Sequence, residues 1–172
     1  MPEFIPFLEK NDIDKMVATV AQKISADYQD SEPVLIGVLK GAFIFISDLV
    51  RHLTIPVQLD FLCAASYGSG TASSGEIRLT KDVETDIRDK DVLVIEDIID
   101  TGLTLDYIIN HLKAFAPKTI KVCTLLDKRE RRVSDIEVDY ACYEVEKGFL
   151  VGYGLDYAEN YRNLPEIYHL KL

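Results

Sequence analysis

The chain alternates between short continuous apolar runs and longer segments in which apolar positions recur every three or four residues. Val92-Leu93-Val94-Ile95 is such a run, not alternating with polar residues, as expected of a strand buried on both faces in a parallel sheet. Val34-Leu35-Ile36-Gly37-Val38 and Thr119–Leu126 read the same way, and Val57–Ala65, Ile77–Leu79 and Val138–Val145 supply further strands. Between them lie helical stripes. Ile13, Met16, Val17, Val20, Ala21 and Ile24 behind Asn11 and Asp12 predict an amphipathic helix over 12–28; Phe43–Leu53 predicts a second. Leu105, Ile108, Ile109 and Leu112 place a third over 104–115, ended by Ala116-Pro117. Strand, loop and helix in repetition predict an α/β fold: a single domain with a central, mostly parallel sheet flanked by helices. A chain of 172 residues fits one such domain, spanning 1–172, and is short for two.

The polar residues cluster where strands end. Glu96-Asp97 follows the apolar run directly, and Asp100-Thr101-Gly102-Leu103-Thr104 fills the loop before the third helix. Unpaired N–H groups at a helix N-terminus, with the helix dipole behind them, can hold a phosphate without any basic side chain. An Asp or Thr before a helix is ordinarily an N-cap. Three acids around one phosphate-sized nest, however, are a poor arrangement for stability, and they suit a ligand that also brings hydroxyls, developing positive charge or a metal. Polar groups reach other strand ends too: Lys40-Gly41 after the first strand and Asp127-Lys128-Arg129 after Thr119–Leu126. Ligands of open α/β sheets bind at that edge. Taken singly, Lys40 reads as solvated surface, Lys128 as part of a KRERR charge cluster, Phe149 as core and Arg162 as surface.

Composition narrows the class. The net charge of −10 offers no basic stripe to a nucleic acid or an anionic membrane. No apolar run approaches the roughly 20 residues of a membrane helix, and Met1–Lys10, with Glu3, Glu9 and its prolines, does not read as a signal peptide. Cys63, Cys123 and Cys142 are scattered through apolar runs without metal spacing, as reduced thiols of a cytoplasmic protein would be. Ser66–Gly75 differs from the rest: after Ser66, three glycines and four Ser/Thr in nine residues cannot build a core.

The stretch Val92–Leu105 resembles the phosphoribosyl-pyrophosphate (PRPP) motif of the type I phosphoribosyltransferase family, and in the form EDIIDTGLTL the motif of its hypoxanthine-guanine members. The resemblance extends over residues 34–164 in five separated segments. It implies the family fold with a small hood and a flexible Gly/Ser-rich lid starting at Ser66-Tyr67. It implies that Glu96 and Asp97 meet the ribose hydroxyls, that Asp100, Thr101, Gly102, Leu103 and Thr104 cradle the 5′-phosphate, and that Lys40, Gly41 and Arg162 contact pyrophosphate. Asp100 becomes the catalytic acid/base at purine N7, Lys128 the donor to the 6-oxo group, and Phe149 the stacking face, with carbonyls near Leu150 and Asp156 facing the 2-amino group. A cis peptide between Leu39 and Lys40 belongs to the same pattern. The implied cofactor is Mg²⁺, near Glu96, Asp97 and Asp156; the implied activity is purine salvage, a glycosyltransferase reaction giving IMP or GMP, in a homodimer or homotetramer. A PRPP-binding regulatory protein on the same fold and a receiver-like domain are the rival readings. The acidic balance and Lys128 with Phe149 favour the enzyme over the first, and the Gly/Ser lid favours it over the second.

Overall fold

The structure, a computed structural model, describes residues 2–67 and 76–171. Its centre is a six-stranded sheet in the order β4-β3-β2-β5-β6-β7. The members are β2 (Val34–Leu39), β3 (Gln58–Tyr67), β4 (Glu76–Lys81), β5 (Asp91–Ile99), β6 (Thr119–Lys128) and β7 (Tyr140–Val145). All neighbours run parallel except β4, which returns antiparallel along β3.

The continuous apolar runs become the two central strands, and their alternate residues divide between two cores. Leu35, Leu93 and Ile95 join the cluster under α1 (Lys10–Asp27) and α2 (Phe43–His52). Val34, Ile36, Val92 and Val94 join the cluster under α3 (Leu103–Lys113). Helices on both faces leave neither side of β2 and β5 in water, which is why no polar alternation was needed in their sequence. Truncating a fully buried Leu of this kind to Ala costs about 2–5 kcal/mol.

The chain winds outward from the centre in both directions: from β2 to β3 on one side, from β5 to β6 and β7 on the other. The β2/β5 boundary is therefore the topological switch point, where the loops leaving two neighbouring strands diverge and open a crevice. Lys40-Gly41-Ala42 and Asp100-Thr101-Gly102 are those loops, with Glu96 and Asp97 just before the end of β5.

Some boundaries differ from expectation. Helix α1 begins at Lys10, so Asn11 and Asp12 lie inside its first turn rather than capping it; Glu9 supplies the carbonyl that accepts Ile13 N–H. Asp12 there suits the positive end of the helix dipole. Strand β7 starts at Tyr140, two residues late, because Val138 packs on the α3-side core. Unforeseen as strands were β1 (Glu3–Leu8) and β9 (Ile167–Lys171), which pair with β8 (Leu150–Val151) in an antiparallel sheet ordered β1-β9-β8. This second sheet joins the two ends of the chain, as the hood of the expected architecture. The expected lid falls outside the described residues from Gly68 to Gly75; Ser66 and Tyr67 end β3. Among the described residues no helix is long and apolar enough to cross a membrane.

Candidate active site

At the switch point, Val38, Leu39, Gly41, the segment Glu96–Gly102, Asp156 and Arg162 surround a cavity of about 300 Å³. Gly102 enters α3 in the left-handed conformation, φ 83°, and its Cα lies so close to the Ser134 hydroxyl that a Cβ would come within 2.1 Å of it. Only glycine meets both conditions at low cost. Helix α3 has no side-chain cap at its start. Thr101 Oγ1 instead accepts Leu103 N–H at 3.3 Å outside the helix, and the Leu103 side chain faces outward, 41% exposed. The start of α3 is thus without a side-chain cap on the helix itself, and the Thr101 hydroxyl stands beside it.

Across the crevice the Leu39-Lys40 peptide is cis. A Cβ on Gly41 would lie 1.9 Å from Asp97 Oδ2, so the β2 loop can press against the acid pair only as glycine. Gly154, φ 99°, closes in from the third side with its Cα against the Gly41 carbonyl.

Glu96 is buried and Asp97 partly so. Burial, then the Asp97 charge beside it, holds the Glu96 carboxyl well above the usual carboxylate range. Burial also raises Asp97, against hydrogen bonds from Glu96 and the Ile98 N–H and the charge of Arg162. Both carboxyls of the pair are thus held above their ordinary range, chiefly by burial. Asp100 has a split environment: Oδ2 stands 3.8 Å from Lys128 Nζ and 3.4 Å from Arg131 Nη1, while Oδ1 is buried with no hydrogen-bond partner among the described residues. Lys128 is itself nearly buried and lies 3.5 Å from Glu130.

Phe149 is 48% exposed and meets Tyr157 edge-on at 5.7 Å, a large apolar face left in the open beside buried Leu150. Arg162 donates to the Gly154 carbonyl at 2.8 Å and pairs with Asp156 at 3.1 Å and Glu159 at 3.3 Å. Lys40 also reaches Glu159, at 2.8 Å. Asp156 further accepts the Glu159 N–H. The structure thus brings Gly41, Glu96–Gly102, Thr104, Asp156 and Arg162 to one crevice, with Lys128 beside Asp100, while Lys40, next to Gly41, is exposed and tied to Glu159. Asp156 is occupied with Arg162 and its own loop, and no group of three metal-type side chains is assembled among the described residues.

Two participants escaped sequence reading, Glu159 and Arg132; a third, Asp127, is placed by it at a strand end without a role. Glu159 ties together both expected pyrophosphate cations, Asp127 is buried at the end of β6, and Arg132 binds the carbonyls of Ile99 and Asp100. Asp127 carried a signal, an acid closing an apolar run. Arg132 carried none, since in KRERR it looks like its solvated neighbours.

An open α/β sheet with an uncapped helix start, an acid pair and a cation-bearing loop at its switch point is the architecture of a ligand-binding α/β protein, and the chain belongs to the phosphoribosyltransferase family: the phosphoribosyl transferase domain matches residues 7–158. The chain is 48% identical over 162 residues to the hypoxanthine-guanine phosphoribosyltransferase of Streptococcus pyogenes, covering 94% of this chain and 90% of that protein. It is 46% identical over 164 residues to the Bacillus subtilis protein of the same name, covering 95% and 91%. Among solved structures, a hypoxanthine-guanine phosphoribosyltransferase from Bacillus anthracis superposes with a TM-score of 0.92 at 40% identity, covering 99% of this chain and all of the other. A hypoxanthine phosphoribosyltransferase from Staphylococcus aureus gives 0.92 at 42% identity, covering 96% and 90%.

Proposed function

We propose that this protein transfers the 5-phosphoribosyl group from PRPP to hypoxanthine and guanine, giving IMP or GMP and pyrophosphate. The observation that carries the choice of base is the pairing of Lys128 with Asp100 at the mouth of the phosphate nest, 3.8 Å apart. A purine with an acceptor at O6 and a proton site at N7 presents both partners to this pair, while Phe149 offers a face for its ring. The Asp100 carboxylate, whose Oδ2 faces Lys128, is the acceptor for the N7 proton.

The remaining residues follow the charges of the reaction. The nest at Asp100–Thr104 holds the 5′-phosphate through backbone N–H groups. Glu96 and Asp97 take the ribose hydroxyls and stabilise the positive charge that develops on the ribose. Lys40 and Arg162 leave Glu159 for the departing pyrophosphate. The acid pair, hard oxygen donors without a complete protein cage, fits Mg²⁺, which binds through one or two carboxylates and keeps substrate phosphates and waters as its other ligands. When bound, Mg²⁺ would neutralise charge on the pyrophosphate. Asp156, held by Arg162, serves in this reading to aim that cation and the nearby carbonyls.

The three cysteines are free thiols, which fits a cytoplasmic protein, and the expected state is a homodimer or homotetramer without nucleic-acid or membrane partners. The test is pyrophosphate release from PRPP and Mg²⁺ with each purine in turn. Release with hypoxanthine and guanine supports the reading; none with either overturns it.

A further inference from the structure

The loop after β6 does more than carry Lys128. Val133 and Ser134 both donate their N–H to the Thr101 carbonyl, at 3.0 and 3.3 Å, so the loop is fastened to the phosphate nest. Beneath that seam lies the Arg132 guanidinium, its side chain 15% exposed. Nε donates to the Asp100 carbonyl at 3.0 Å; Nη2 reaches the Ile99 carbonyl at 3.0 Å, the Lys128 carbonyl at 3.1 Å and the Asp127 carboxylate. Those carbonyls lie where two neighbouring strands, β5 and β6, end. A planar fork with donors fixed in direction spans them, and a lysine with one nitrogen could not.

We infer that Arg132 is a positioning residue that sets the spacing between Asp100 and Lys128, and thereby both the rate of transfer and the choice between 6-oxo and 6-amino purines. The proposal rests on the functional reading above. Its physical content is simple. Asp100 follows β5 and Lys128 ends β6, and Arg132 links the backbones of both at the residues themselves, through the carbonyls of Asp100 and Lys128 and that of Ile99. A shift of about 1 Å between two groups that must contact N7 and O6 at once is enough to cost a large factor in rate.

The rival is that Arg132 merely neutralises buried Asp127, which is 1% exposed. Two variants separate the cases. Arg132→Lys keeps a charge near Asp127 and loses the fork. Asp127→Asn with Arg132→Gln removes both charges together, so that neither is left buried alone.

The experiment is steady-state kinetics of the wild-type protein and both variants, with hypoxanthine and adenine as acceptors, after circular dichroism and thermal melts have shown each preparation folded. In both variants kcat with hypoxanthine should fall by about tenfold to a hundredfold, KM for PRPP should change by less than about threefold, and the hypoxanthine-over-adenine ratio of kcat/KM should shrink at least about tenfold. A purely structural role lowers the amount of active enzyme and leaves that ratio untouched. Recovery of wild-type kcat and selectivity in the double variant would make Arg132 a counterion and overturn the proposal, as would a folded Arg132→Lys protein within threefold of wild type in both. Wild-type protein without PRPP-dependent transfer to hypoxanthine removes the functional reading and this proposal together, and so is told apart from an active wild type whose variants are unaffected.

Discussion

Strands β5 and β6 lie side by side in register, Glu96 beside Thr124 and Ile99 beside Asp127, and each delivers acid to the same edge of the sheet. Their ends are nonetheless built on opposite electrostatic terms. At the end of β6, Asp127 is almost wholly buried but answered by Arg132 and Arg129. At β5, Glu96 and Asp97 stand next to each other without an ion pair among the described residues, the charge of Arg162 acts on Asp97 from a distance, and burial lifts both carboxyls above their usual range. A buried charge with a fitted partner holds structure together; one whose partner is absent points to where a ligand must arrive. Position along the strand does not separate the two, but the company each acid keeps does.

The largest expected effect breaks the paired side. Arg132→Ala leaves buried Asp127 with the exposed Arg129 and takes one donor from three carbonyls, and should cost about 3–5 kcal/mol. For a chain of this size that is a fall in Tm of roughly 6–20 °C. Asp97→Ala, one strand over, should change ligand-free stability by no more than about 1 kcal/mol in either direction. Thermal melts of the two proteins side by side, without metal or substrate, check the contrast. Equal losses would mean that both strand ends are structural.

Next in size comes Asp100, which belongs to both worlds: one carboxylate oxygen faces Lys128 and Arg131, the other has no partner. Asp100→Asn should lower kcat by roughly a hundredfold or more, about 2.7 kcal/mol in the barrier, with PRPP affinity changed far less. A near-normal kcat in the Asn protein would move the acid/base role elsewhere.

The same contrast explains what could be read from sequence. The buried strands, the three helices and the acid-rich loop were legible because periodicity and residue type are local properties: four apolar residues state the burial, and Glu96-Asp97 state the arrival of acids, although the strand runs on, still partly buried, to Ile99. The pairing of β1 with β9 was not, since short mixed segments near the two ends of the chain carry no mark of being neighbours. Nor was Arg132, whose role depends on which carbonyls β5 and β6 leave open once they lie together. Glu159 was hidden for the same reason, its two cations coming from residues 40 and 162. Lys128 and Arg132 share one basic cluster, and only the resemblance singled out the first.

A third test concerns the cation that β6 offers to the base. Lys128 presents a donor to O6 of a 6-oxopurine, whereas adenine turns an amino donor toward it. A mismatched buried polar pair costs on the order of 1–3 kcal/mol, so adenine should be disfavoured by about tenfold to a hundredfold in kcat/KM, and Lys128→Ala should erase that preference. Xanthine should be poor for the same reason at C2, where its oxo group would face carbonyl acceptors. Competition assays with hypoxanthine and adenine decide the point, and comparable turnover of the two by the wild-type protein would overturn the role of the lysine.

The smallest effect is a gain, and it sharpens the unpaired side. Because the folded-state pKa of Glu96 lies above its unfolded value, the folded chain binds more protons than the unfolded one between those two values. Stability then falls as pH rises through that window, the reverse of the behaviour of a carboxylate held down by a salt bridge. Glu96→Gln removes the titration while keeping the shape and a hydrogen-bond donor toward Asp97. The variant, free of metal and substrate, should be more stable than wild type above the window by on the order of 1 kcal/mol, a rise of a few degrees in Tm, and equal to it below. It should also be a poorer enzyme, since the ribose hydroxyls lose a carboxylate partner. Melts of both proteins across a pH series in chelator, with kinetics at one neutral pH, report the two halves of this exchange. A Glu96→Gln protein less stable than wild type at every pH would show that the pair at the end of β5 is satisfied in the fold, and that the distinction between the two strand ends is not electrostatic.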